Sequence, residues 1–177
     1  ILSYALAGTA PKDGPNAWTK EQLLSDKKNL FEHNIVRDRI VNTMKQTTPD
    51  VTVGKTGIME LAHLYHLRTI ITAKDSTKSL VEWAKLLHPT PALGGEPREK
   101  AMALLETYEA HERGMYAAPF GFMKDMGDGI VVVAIRSALI MDNILYAYAG
   151  CGVVADSDAD EEYIETNNKM RTILDAL

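Results

Sequence analysis

Glu162, Glu165 and Lys169 stand three and four residues apart in the run YAGCGVVADSDADEEYIETNNK, which extends from Tyr148 to Lys169. At helical spacing all three side chains project from one face, two carboxylates beside one ammonium. Two readings are open. Acidic residues in the first turns of a helix, here Asp158, Asp160, Glu161, Glu162 and Glu165, complement the macrodipole and ordinarily sit in water. The other reading is a hard-cation site, because Mg²⁺ takes carboxylate oxygens and keeps waters that a substrate carboxylate can replace.

Three further residues could take part in chemistry. Arg136 interrupts the apolar run VVVAIRSALI. Read as a strand, the run puts Arg136 on the face of Val132, Ala134 and Ala138, where a guanidinium calls for an anion more than for open solvent. His66 sits in the apolar segment LYHLRTIIT, where a core hydrogen bond is the commoner role and a catalytic one the alternative. Cys151 stands in a Gly-Cys-Gly turn with no basic neighbour evident in sequence, so it reads as a small tolerated residue.

The elements that must position these groups follow from pattern. Ile1 to Ala10 reads as an apolar strand ending in Ala7-Gly8-Thr9, and Pro11 to Trp18 as a loop. Thr19 and Gln22 have capping-box spacing and open a helix to about Lys45, whose stripe is Leu23, Leu24, Leu30, Phe31, Ile35, Val36, Ile40, Val41 and Met44. Glu32 borders that stripe, and His33 reads as structural. Pro49 to Thr72 carries the β pattern, after which Asp75 or Ser76 caps a helix from Thr77 to Leu87. The segment LHPTPALGGEPRE holds three prolines and two glycines in thirteen residues, a rigid connector to a helix from Pro97 to about His111 with Ala101, Leu104, Leu105 and Tyr108 inward. Strands at Met115 to Met123, Ile130 to Ile140 and Ile144 to Ala149 form an antiparallel meander with a tight Asp142-Asn143 turn. Ser157 or Asp156 caps the last helix, which ends on Met170, Ile173, Leu174 and Leu177.

With 177 residues, 46% hydrophobic and 24% charged, the chain is one domain long and can bury a core. A net charge of −5 without a basic cluster argues against a nucleic-acid partner. No segment reads as a membrane span. A lone cysteine precludes an internal disulfide and suits the reducing cytoplasm. Composition does not bear on oligomeric state.

Five segments in order, AGT, FEH, HLRT, LHPTPALGG, and IRSAL through EEYIETNNK, resemble the chorismate-utilising enzymes, which include the isochorismate, anthranilate and aminodeoxychorismate synthases. The resemblance covers essentially the whole chain. It implies an α+β chorismate-binding fold, antiparallel sheets stacked and flanked by helices, with residues 1–177 the C-terminal part of one such domain. LHPTPALGG resembles the isochorismate synthases, not the ammonia-using members, and YAGCG resembles their menaquinone branch more than the siderophore one.

The resemblance further implies Mg²⁺ as cofactor and chorismate as substrate, converted to isochorismate as water adds at C2 and the C4 hydroxyl leaves. It assigns Glu32, Glu162 and Glu165 to the metal, with Glu162 holding its waters. To the substrate it assigns Gly8, Thr9, Thr69, Ala92, Leu93, Arg136, Gly150, Gly152 and Lys169, with Thr90 and Pro91 shaping the pocket, and it makes His66 the catalytic candidate. In that family a water-activating Lys and a general-acid Glu of a Ser-Pro-Glu motif precede the AGT strand. Neither motif occurs in this sequence, so residues 1–177 alone are expected to turn over negligibly. A salicylate or anthranilate synthase, or a non-catalytic folded piece, are the alternatives.

Overall fold

The computed structural model describes residues 1–74 and 77–175. Asp75, Ser76 and Leu177, for which a cap and a core position were expected, lie outside the described residues. The chain divides into two compact units, Ile1–Tyr108 with Gly121–Val131, and Glu109–Phe120 with Val132–Leu177. Among the described residues no helix is long and apolar enough to cross a membrane.

In the first unit β1 (Leu2–Pro11) lies antiparallel to β4 (Leu64–Ala73), and β2 (Val51–Val53) and β3 (Gly57–Glu60) both pair with β4. β1 and β4 run in register from Leu2↔Thr72 to Leu6↔Arg68, then resume at Thr9↔His66. One extra residue on β1 is accommodated there, a β-bulge at Ala7-Gly8 with Gly8 at φ 80°. The bulge resets the alternation of side chains. Ala5 and Ala7 face inward, and after the bulge it is Ala10 that is buried, while Thr9 is turned aside.

The expected single helix from Thr19 to Lys45 is two: α1 (Lys20–Ser25) and α2 (Lys27–Lys45). The Thr19–Gln22 capping box forms as read, but Asp26 is extended and its carboxylate caps α2 by accepting from the Asn29 N–H. A second N-cap inside an apolar stripe restarts the helix. Val36, Ile40, Val41 and Met44 pack on Ala5, Ala7, Ile71, Ala73 and Trp83, and the small β1 residues let α2 approach the sheet. Leu23, Leu67 and Ala10 form a neighbouring cluster with Trp18, Leu30, Ile58 and Tyr65. Burial of each large side chain here stabilises the unit by about 1.5–3 kcal/mol. Phe31, expected inward, is exposed.

α3 (Leu80–Leu87) starts later than expected, capped by Ser79 in a capping box with Glu82. The proline-rich connector contains a short helix, α4 (Pro91–Gly94), ahead of α5 (Arg98–Tyr108). Arg98 donates from Nη2 to the His88 carbonyl at 2.9 Å and ties the ends of the connector together. The apolar face expected on α5 is not buried in this structure; Leu104 and Tyr108 are exposed.

β5 (Pro119–Met123) pairs with β6 (Gly129–Val133), and β7 (Ala138–Met141) lies antiparallel to β8 (Ile144–Ala147). These are two separate two-stranded sheets in place of one meander. The first expected strand begins late because Arg113 to Ala118 is a turn, with the Tyr116 N–H bonded to the Arg113 carbonyl at 2.8 Å and Ala117 at φ 62°. β6 stops at Val133, and β7 resumes at Ala138. Asp142 and Asn143 form the expected tight turn, both with positive φ, 51° and 64°. The second unit closes with α6 (Ala159–Leu174). Its cap is Asp158, whose carboxylate accepts from the Asp160 and Glu161 N–H groups at 3.0 and 3.1 Å, because the Ser157 hydroxyl is engaged elsewhere.

Candidate functional site

Each unit carries part of the predicted set. In the first, Gly8 is buried at the bulge, and an added Cβ would stand 2.9 Å from the Asn29 carbonyl oxygen. Thr9 Oγ1 lies 2.9 Å from Nδ1 of His66, its cross-strand partner. Both residues are half-buried, so the bulge leaves a hydroxyl–imidazole pair that a ligand could reach. Thr69, expected on the substrate face, is wholly buried. Its hydroxyl bonds His33 Nε2 at 2.7 Å and Thr56 Oγ1 at 2.8 Å, which leaves no surface to offer a ligand.

His33 is itself wholly buried, with Nδ1 3.2 Å from the Ala7 carbonyl oxygen. A carbonyl can only accept, so Nδ1 carries the proton and Nε2 accepts from Thr69. Burial pushes the imidazole below its ordinary value, with the Ala7 bond in partial opposition. Glu32 is half-buried beside it. In the connector Thr90 caps α4 without a side-chain bond, Ala92 is exposed and Leu93 is half-buried.

The second unit gathers Arg136, Gly150, Gly152, Glu162, Glu165 and Lys169, with Tyr116 and Tyr148. Arg136 lies between β6 and β7, not within a strand, so the shared face with Val132 and Ala138 does not exist. It is half-buried at φ 54°. Burial works against its charge, while Tyr116 and Glu165 nearby favour it; a guanidinium stays protonated under such conditions. Lys169 pairs with Glu165 and donates from Nζ to the Gly150 carbonyl at 2.9 Å. One ammonium thereby ties α6 to the Gly150–Gly152 turn, and both glycines are exposed.

Glu162 is 6% exposed, and its Oε1 accepts from Ser157 Oγ at 2.6 Å. The same Ser157 oxygen accepts from the Val154 N–H at 3.1 Å. Glu162 is therefore not a solvated first-turn carboxylate, which leaves the macrodipole reading incomplete. Cys151 is half-buried. Burial pushes its thiol up, with the Glu162 carboxylate next in effect, against Lys169, the basic neighbour the sequence did not display. The thiol is the stable form there.

Sequence reasoning missed Tyr116, Tyr148, Ser157 and Asn29. Tyr116 stacks on Tyr148 with centroids 5.4 Å apart and an interplanar angle of 16°. An added Cβ at Gly150 would stand 3.3 Å from the Tyr116 hydroxyl. Burial raises that hydroxyl's pKa, so it remains a neutral donor. The Tyr-Ala-Gly run preceding Cys151 is a signal for an aromatic wall, but the stacking partner of Tyr148 is Tyr116, 32 residues earlier in the chain.

Among the described residues no three His, Cys, Asp or Glu side chains gather as a group that could hold a metal ion. Mg²⁺ does not require an all-protein cage, since one or two carboxylates with water and substrate oxygens suffice. Glu162 and Glu165, hard oxygen donors on one face of α6 and one of them buried, fit that chemistry.

Residues 1–177 match the profile of the family described as chorismate binding enzyme. The salicylate biosynthesis isochorismate synthase of Pseudomonas aeruginosa is 36% identical over 99% of this chain and 38% of its own length. Isochorismate synthase MenF of Bacillus subtilis is 37% identical over 100% of this chain and 39% of its own. The structure of DhbC from Bacillus anthracis superposes with a TM-score of 0.92 at 33% identity, covering 99% of this chain and 48% of that one. The chain thus spans less than half the length of these relatives. Its fold is the α+β fold they share, and with its full length matched, the chain belongs to the chorismate binding enzyme family.

Proposed function

We propose that this chain is part of an isochorismate synthase, converting chorismate to isochorismate by addition of water at C2 and departure of the C4 hydroxyl. The observation that carries the reading is the arrangement within the second unit. Two cations, Arg136 and Lys169, stand with two carboxylates, Glu162 and Glu165, about a glycine turn. A dianionic substrate needs both signs, cations for one carboxylate and a bridging divalent ion for the other.

Arg136 and Lys169 bind the enolpyruvyl carboxylate. The half-buried guanidinium supplies a planar pair of donors, and the partial burial that disfavours its charge is offset when an anion arrives. The N–H groups of the exposed residues Gly150 and Gly152 and the neutral Tyr116 hydroxyl add donors. Within this unit Glu165 and, through its waters, Glu162 would hold Mg²⁺. When bound, that ion would supply positive charge to the ring carboxylate. In the first unit, taken by itself, Thr9, His66, Ala92 and Leu93 are the residues assigned to substrate contact.

The water-activating base and the general acid lie outside residues 1–177 on this reading, so these residues alone turn over negligibly and the full-length protein is active. The LHPTPALGG connector favours isochorismate synthase over an ammonia-using relative, and the reading carries a cytoplasmic location and a place in menaquinone or siderophore synthesis. The test is product analysis by the full-length protein with chorismate and Mg²⁺, with and without ammonia. Isochorismate without pyruvate release supports the reading. Anthranilate or salicylate with pyruvate, or turnover undiminished by a chelator, overturns it.

A further inference from the structure

We propose that Asn29 and His33 are positioning residues for the substrate site, holding the bulged backbone at Ala7-Gly8-Thr9 and so setting the direction of the Thr9 hydroxyl. The inference rests on the reading of Thr9 as a substrate-contacting residue. Asn29 and His33 are four apart on α2 and therefore share one helix face. That face meets the bulge at two backbone groups on either side of Gly8. Asn29 Oδ1 accepts from the Thr9 N–H at 2.9 Å. His33 Nδ1–H donates to the Ala7 carbonyl at 3.2 Å.

A bulge disrupts the ladder locally and needs other partners for its amides. Here α2 supplies them with side chains. Without the bulge, strict alternation would place residue 9 on the inward face with Ala5 and Ala7; with it, Ala10 is inward and Thr9 meets His66 Nδ1 at 2.9 Å. The clamp is anchored at both ends. Asn29 Nδ2 donates to the Asp26 carboxylate at 2.8 Å, and His33 Nε2 accepts from Thr69, which in turn bonds Thr56. There is no room for an alternative at Gly8, whose φ of 80° and 2.9 Å approach to the Asn29 carbonyl allow only glycine.

The test is steady-state kinetics of the full-length protein with chorismate for Thr9→Val, Asn29→Ala, their double variant, His33→Asn and His33→Gln. Asn29→Ala keeps the Asp26 cap, which also rests on a backbone N–H. Each of the first two variants is expected to lower kcat/KM by about tenfold, chiefly through KM, and the double variant to be no more than about threefold worse than Thr9→Val, as expected for residues that act as one unit. The amide of His33→Asn reaches where Nδ1–H stands and restores most of kcat/KM, while His33→Gln replaces only the acceptor facing Thr69 and does not. Losses that multiply in the double variant, Asn29→Ala that lowers Tm with kcat/KM unmoved, or rescue by Gln and not by Asn overturn the proposal. If both His33 variants fail to fold, the Thr9–Asn29 cycle decides. A wild-type protein that leaves chorismate unchanged defeats the functional reading and this inference with it, whereas a silent Thr9→Val in an active protein defeats this inference alone.

Discussion

Ser157 Oγ lies 2.6 Å from Oε1 of Glu162 and also accepts the Val154 N–H. One hydroxyl therefore holds the most buried carboxylate of the second unit and the loop that leads into α6. A group donating to a carboxylate fixes the direction of its free lone pairs, as outer partners of metal ligands do.

Ser157→Ala removes both bonds at once. It leaves a half-buried N–H unpartnered and the Glu162 carboxylate one donor short, at a cost of about 1–3 kcal/mol in urea unfolding. On the functional reading it also raises the Mg²⁺ concentration for half-maximal activity by about tenfold or more. A stability loss with unchanged Mg²⁺ dependence would remove Glu162 from the metal site.

Arg136 holds a non-glycine residue at φ 54° and a half-buried charge. Both oppose stability, with left-handed backbone alone costing about 1–2 kcal/mol. Arg136→Gly is therefore expected to leave Tm unchanged or higher while chorismate KM rises by about 100-fold, on the scale of a lost charge-assisted bond. Arg136→Lys keeps the charge but not the planar donor pair, and recovers only part of the affinity. A fall in both stability and affinity would mean that the residue is there for structure.

Gly8→Ala tests the bulge directly. A Cβ placed 2.9 Å from the Asn29 carbonyl and 3.0 Å from Leu67 Cδ1 forces α2 away from β1, in a backbone conformation alanine resists. The expected loss is about 2 kcal/mol or more, larger than an ordinary glycine-to-alanine effect, measured by chemical denaturation.

Glu60 is held at about 2 by Lys12 and Lys20, which bond it at 2.7 and 2.6 Å. Its pKa is depressed on folding from an ordinary 4.5. Its contribution is therefore present in full above the ordinary value and fades as pH falls toward 2. The side chains are exposed and screened, so the effect is small and salt-sensitive. In NMR titration the Glu60 carboxyl should show a midpoint near the lower value, and in Glu60→Gln the stability difference from wild type should vanish at the acid end. An ordinary midpoint would break the triad.

Much of this chain is legible from neighbours in sequence. The capping box at Thr19, the α2 stripe through Val36, Ile40 and Met44, the Asp142-Asn143 turn and the common face of Glu162 and Glu165 all depend on residues within about one turn of each other. Those are the interactions a linear pattern displays. The family was legible too, because its five segments keep their order.

Tertiary structure decided what spans distance. The bonds from Thr9 to His66, Thr9 to Asn29 and His33 to Thr69 join residues 57, 20 and 36 apart, and no local period records them. A single extra residue at the bulge turned Thr9 away from the core and Ala10 into it. Asp26, polar and unremarkable in a helical stripe, divided one helix into two by capping the second. Arg136 left the strand that its apolar neighbours promised, and Thr69 went to the core once His33 was there to take its hydroxyl. Residue type named the available chemistry; the packing of α2 on β1, and the bonds that tie α6 to the glycine turn before it, chose which groups could perform it.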